Sequence, residues 1–147
     1  MKDQVLSISQ MRHLRDLGVD TSKASMCWLR EPNNHTRYEV FCTNDDCYEM
    51  SCLDPVPAFT VQDLLEIIPC TLFCDKNGNN ISLQPINYKY RMSFNLVKEL
   101  SGYEAKYEDY ITKTMLIYRT GRTVIEALYN ILCWLAENKL LEKEEKK

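Results

Sequence analysis

Seven cysteines, two histidines and a run of acidic side chains are the residues of this 147-residue chain best suited to chemistry. Cys42, Cys47 and Cys52 are spaced C-x4-C-x4-C, with His35 upstream and Cys70-x3-Cys74 downstream. A structural zinc site needs four thiolate or imidazole ligands converging tetrahedrally and is usually signalled by paired C-x2-C knuckles. This chain has no such knuckle. Cys27, Cys42, Cys70, Cys74 and Cys133 lie in apolar segments, where a thiol packs as a small hydrophobe. A cysteine nucleophile needs a base beside it. His13 falls on the polar side of a helical stretch, and His35 falls in a turn between strand-like segments. No G-x-S-x-G, H-E-x-x-H or dinucleotide fingerprint is present, and four glycines leave little room for a phosphate cradle. The expectation is therefore no catalytic residue, no metal and no cofactor.

Charge is unevenly distributed although the net value is only -3. No Lys or Arg lies between Arg37 and Lys76, whereas Asp45, Asp46, Glu49 and Asp54 share one segment there. That segment lacks the alternating ligands and central glycine of a calcium loop. It reads as a solvated loop, or as an acidic docking surface for a basic partner. After Ile86 the balance turns basic, and Lys89, Arg91, Arg119 and Arg122 are interleaved with tyrosines. Basic and aromatic residues on one sheet face can clamp single-stranded nucleic acid. However, Tyr88 and Tyr90 alternate with Lys89 and Arg91, which directs the two kinds of side chain to opposite faces of a strand. Gly121-Arg122-Thr123 opens a helix and would suit an anion, or it is an ordinary cap.

Three helices and several strands must position these groups. Ser7 and Gln10 form an S-x-x-Q capping box before Ile8, Met11 and Leu14, and Gly18 supplies a stop. Thr60 caps a second helix in which Val61, Leu64, Leu65 and Ile68 share a face, and Asp63 favours its positive end. A third helix runs from Thr123 to about Asn138. It is apolar over most of its surface, so it must be central to a core or covered by a partner. Met26 to Arg30 and Arg37 to Cys42 read as a hairpin joined by a long loop, and Thr43 to Ala58 reads as irregular. Cys70 to Asp75 and Asn80 to Gln84 flank Asn77-Gly78, a short-hairpin signal. Further strands are expected at Tyr88 to Phe94, Tyr103 to Glu108 and Thr114 to Tyr118.

Strands neighbouring in sequence and joined by short turns favour an α+β fold with a mostly antiparallel sheet. About five to seven short strands are expected, with two or three helices packed on the sheet and the long C-terminal helix central. Residues 1–141 are expected to form one domain and 142–147 a charged tail. No export signal and no apolar run of about 18 residues is visible. An odd number of cysteines favours free thiols, which places the chain in the cytoplasm with no membrane as a partner.

Leu6 to Gly18, Phe59 to Pro69 and Gly121 to Asn138, in that order with strands between, resemble segments of small uncharacterised proteins of prophages and other integrated mobile elements of anaerobic gut bacteria. The resemblance spans most of the chain and rests on helix caps and packing faces. It implies a bacterial cytoplasmic setting and an accessory role, with no active site to carry over. The functional expectation is a non-enzymatic accessory or protein-interaction protein with an unknown protein partner, or a homodimer formed through the last helix. The alternative is a single-stranded nucleic-acid binder using the basic and aromatic C-terminal half.

Overall fold

The computed structural model describes residues 4–31, 34–42, 55–75 and 77–141. Its contacts divide the chain into two compact units, 1–65 and 66–147. The fold is α+β, and every strand pairing is antiparallel. The strands fall into two sheets rather than one.

The first unit opens with helix α1 (Ile8–Asp16), set by the reciprocal capping box of Ser7 and Gln10. The helix ends in a Schellman motif: Val19 N–H donates to Leu14 O, Gly18 N–H donates to Arg15 O, and Gly18 takes φ +91°. Strand β1 (Met26–Glu31) pairs with β2 (Asn34–Cys42) on one side and β3 (Val56–Ala58) on the other. The first hairpin is thus longer than expected, because both strands extend into the segment read as a loop. Strand β3 also lies within a stretch read as irregular. It tolerates Pro57 because it is an edge strand, where a missing N–H need not break a ladder. Val5, Met26, Trp28 and Ala58 form the core beside this sheet, and Trp28 Nε1 donates to Leu6 O at 2.9 Å.

Helix α2 (Val61–Ile67) begins at Thr60, whose hydroxyl accepts from Asp63 N–H at 3.2 Å. Asp63 does more than favour the helix dipole. Its carboxylate accepts from Thr60 N–H at 3.0 Å, from Ser25 N–H at 3.0 Å and from the Ser25 hydroxyl, while the residue is only 7% exposed. Burial works against the charge, but these donors outweigh it and hold the carboxyl below its ordinary range.

The second sheet has the order β4 (Thr71–Cys74), β5 (Tyr90–Glu99), β6 (Gly102–Glu108) and β7 (Met115–Gly121). The hairpin expected around Asn77-Gly78 is reduced to one bridge, Phe73 with Ser82, and β4 pairs chiefly with β5. The Asp75 carboxylate explains the turn: it accepts from the N–H of Asn77 and Asn79 and from Asn80 Nδ2. Met92, Ala105 and Tyr107 face inward on this sheet, and the Tyr107 hydroxyl donates to Pro69 O at 2.6 Å. Helix α3 (Val124–Glu137) packs on β6 and β7 and buries Ala127, Leu128, Ile131, Leu132, Leu135 and Ala136. The strongly exposed apolar side chains among the described residues all lie outside α3. The helix is as apolar as its sequence suggests, yet its surface is largely covered within the chain.

Candidate functional site

Among the described residues, those singled out for chemistry do not converge on one site. Asp45, Asp46, Glu49 and Asp54 lie outside the described residues, as do Cys47 and Cys52. Cys27 and Cys74 are buried, Cys133 is half-buried, and Cys42 and Cys70 are exposed. Among the described residues no three His, Cys, Asp or Glu side chains group as a metal site. Burial pushes the Cys74 thiol up, with Asp75 and Asp109 adding to it, and burial likewise raises Cys133. Both shifts run opposite to the activation a nucleophilic thiol needs.

The four basic residues are also dispersed. Arg91 pairs across from Phe73, on the sheet face opposite the buried Met92. Lys89 precedes that strand, where its N–H donates to Cys74 O at 2.9 Å. Arg119 pairs across from the buried Ala105 and is therefore on the other face from Arg91, with its Nη1 donating to Tyr118 O at 2.8 Å. Arg122 lies at the far end of β7. Beside it the start of α3 is already satisfied: Thr123 accepts from Glu126 N–H, and Glu126 Oε2 accepts from Arg122 N–H. An internal carboxylate thus engages the Arg122 N–H at this cap.

Charge on the open face of the second sheet is locally neutralised. Lys106 Nζ lies 3.4 Å from Glu108 Oε2 and 3.9 Å from Glu104 Oε1, and Asn95 Nδ2 donates to Glu108 Oε1 at 3.3 Å. Part of each sheet edge is engaged as well. The outer side of β4 bonds to Ser82 in both directions at 2.8 Å. On β7, the Tyr118 and Thr120 carbonyls accept from Arg119 Nη1 and Asn130 Nδ2. Such edge protection works against strand addition.

One region concentrates exposed apolar groups, and the topology builds it. Cys74 pairs with Tyr90, Ser93 with Glu108, and Glu108 with Met115. The turn after β4, the approach to β5 and the β6–β7 turn therefore lie at one end of the sheet. There Ile111 is 88% exposed, Tyr110 74% and Ile86 71%, with Tyr88 and Met115 also exposed. The β6–β7 turn is firmly built. Asp109 N–H donates to Thr114 O and Lys113 N–H to Asp109 O, both at 2.8 Å, while Asp109 Oδ1 accepts from Ile111 N–H at 2.9 Å. Lys113 Nζ sits 4.5 Å over the Tyr110 ring, and Tyr88 packs edge-on to Phe73 with centroids 4.8 Å apart.

Only Lys89 and Arg91 of this region stand out in the sequence by charge. A signal for the rest was present: Tyr110-Ile111 is an apolar pair inside a polar turn between two strands. In comparisons with family models, with curated proteins and with solved structures, nothing matches the chain.

Proposed function

We propose that this is a non-enzymatic accessory protein that acts by docking, with the turn end of its second sheet as the contact surface. The observation that carries the reading is the pair Tyr110 and Ile111, held out from a hydrogen-bonded turn at 74% and 88% exposure. Large apolar side chains exposed together mark interaction sites rather than ordinary surface, and ordering them in advance lowers the cost of binding. Burial raises the thiols of Cys74 and Cys133, which disfavours those two as nucleophiles. No helix among the described residues is long and apolar enough to cross a membrane. A bacterial cytoplasmic setting, in a prophage or related mobile element, is carried forward from the resemblance of the three helical segments.

A photo-crosslinking residue at position 111 tests this in the native host, with position 100 as the control. Leu100 is fully exposed in the β5–β6 turn at the opposite end of the same sheet. Crosslinking at 111 is expected to exceed that at 100 clearly, and equal yields would end the reading. The nucleic-acid alternative is less favoured, because Arg91 and Arg119 face opposite ways and Glu104 and Glu108 occupy the open face beside Lys106.

A further inference from the structure

The charges at this docking end sort by exposure. The described carboxylates there are half-buried and engaged by the protein itself: Asp75 by the 77–80 turn, Asp109 by the N–H groups of Ile111 and Thr112, and Glu108 by Lys106 and Asn95. The described charges that face solvent, Lys89, Arg91 and Lys113, are all basic. Basic side chains are thus the exposed charges at the end that carries exposed Ile86, Tyr88, Tyr110, Ile111 and Met115, while the carboxylates keep their charge in less exposed positions.

We infer that the partner of this end is an anionic lipid surface, met by the exposed apolar side chains there; the inference rests on the docking reading above. Charge complementarity and shape both favour it. Ile86 and Ile111 project from turns, each with an exposed tyrosine close in sequence, and a fluid bilayer accepts such side chains without matching pockets. Aliphatic side chains gain from hydrocarbon, whereas stacking on bases would use only the tyrosines. Tyrosine rings settle at headgroup depth. Lysine and arginine stems lie along apolar surface while their charges reach lipid phosphates. Binding of this kind adds buried apolar area to attraction by anionic lipid. The expectation of no membrane partner followed from the lack of a spanning segment, and a peripheral contact needs none.

Flotation of the whole chain tests the inference, using vesicles of phosphatidylcholine alone and of phosphatidylcholine mixed with phosphatidylserine. Binding is expected only to the mixed vesicles and is expected to weaken with salt. Ile111→Asp should abolish it, while Leu100→Asp at the opposite end should leave it unchanged. Lys89→Glu combined with Lys113→Glu should lower partitioning by about thirtyfold or more, since each basic residue is attracted independently to an anionic surface. These positions are solvent-exposed, so the fold should survive, and circular dichroism would verify it. Absence of binding to either vesicle, or binding that ignores Ile111→Asp, overturns the inference. Binding of a single-stranded oligonucleotide that needs the lysines but not Ile111 overturns it in favour of nucleic acid. If vesicles fail while position 111 still crosslinks above position 100, the docking reading stands and the lipid assignment falls.

Discussion

The Asp109 carboxylate accepts a hydrogen bond from Ile111 N–H at 2.9 Å, so one acid shapes the turn that projects Ile111. Charge and apolar exposure at this end of the sheet are consequently linked. The bonds that project Ile111 also fix the position of this carboxylate.

Replacing Asp109 tests that link. Asp109→Ala removes the acceptor for the N–H groups of Ile111 and Thr112 and should cost about 1 kcal/mol of stability, the net worth of a typical hydrogen bond. Asp109→Asn keeps an acceptor oxygen and should fall within about 0.5 kcal/mol of the parent. Urea unfolding of the three proteins would show the order, and equal losses in both variants would contradict it.

Asp63 should govern part of the acid sensitivity. Its folded carboxyl is held below the ordinary value, so its contribution is fully present above about pH 4 and is lost as pH falls through the folded value. Asp63→Asn should be less stable than the parent at neutral pH by about 2 kcal/mol, because a buried acceptor of three donors loses its charge. Below about pH 4 the two proteins should converge. Denaturation midpoints measured at successive pH values would reveal the convergence, and a constant gap would refute the assignment.

What the sequence made legible was mainly what is local. The caps at Ser7, Thr60 and Thr123 each bond a backbone group three residues away, so residue type and spacing suffice to find them. Strand pairing was less legible, because register depends on distant partners. Asn77-Gly78 signals a hairpin, yet Asp75 closes that turn on itself and β4 bonds to Tyr90–Ser93 instead. Strand β3 was missed because it is three residues long and contains a proline. The apparent surplus of apolar surface on the last helix was real, but β6 and β7 lie against it, and no periodicity specifies that packing. At the docking end, Lys89 and Arg91 could be named from sequence, whereas Lys113 is placed there by the β6–β7 turn. That Asp75 and Asp109 would accept from their own turns, and Glu108 from Lys106 and Asn95, depends on folded geometry.

The last helix offers a stabilising substitution, and it separates backbone strain from packing. Helix α3 ends in a Schellman motif in which Lys139 N–H donates to Ala136 O at 3.1 Å and Leu140 N–H to Leu135 O at 2.9 Å. Lys139 occupies the position that demands a left-handed backbone and has φ +57°. At the matching position after α1 the chain uses Gly18. A lysine there bears the steric penalty of its Cβ, whereas glycine does not. Its side chain is exposed, so little packing is lost on removing it. The greater freedom of glycine in the unfolded chain offsets part of the gain. Lys139→Gly should therefore stabilise the protein by up to about 1 kcal/mol, and Lys139→Ala, which keeps the Cβ, should not. A rise in the thermal midpoint for the glycine variant alone would establish the strain, while a fall would show that the lysine side chain contributes more than its exposure suggests.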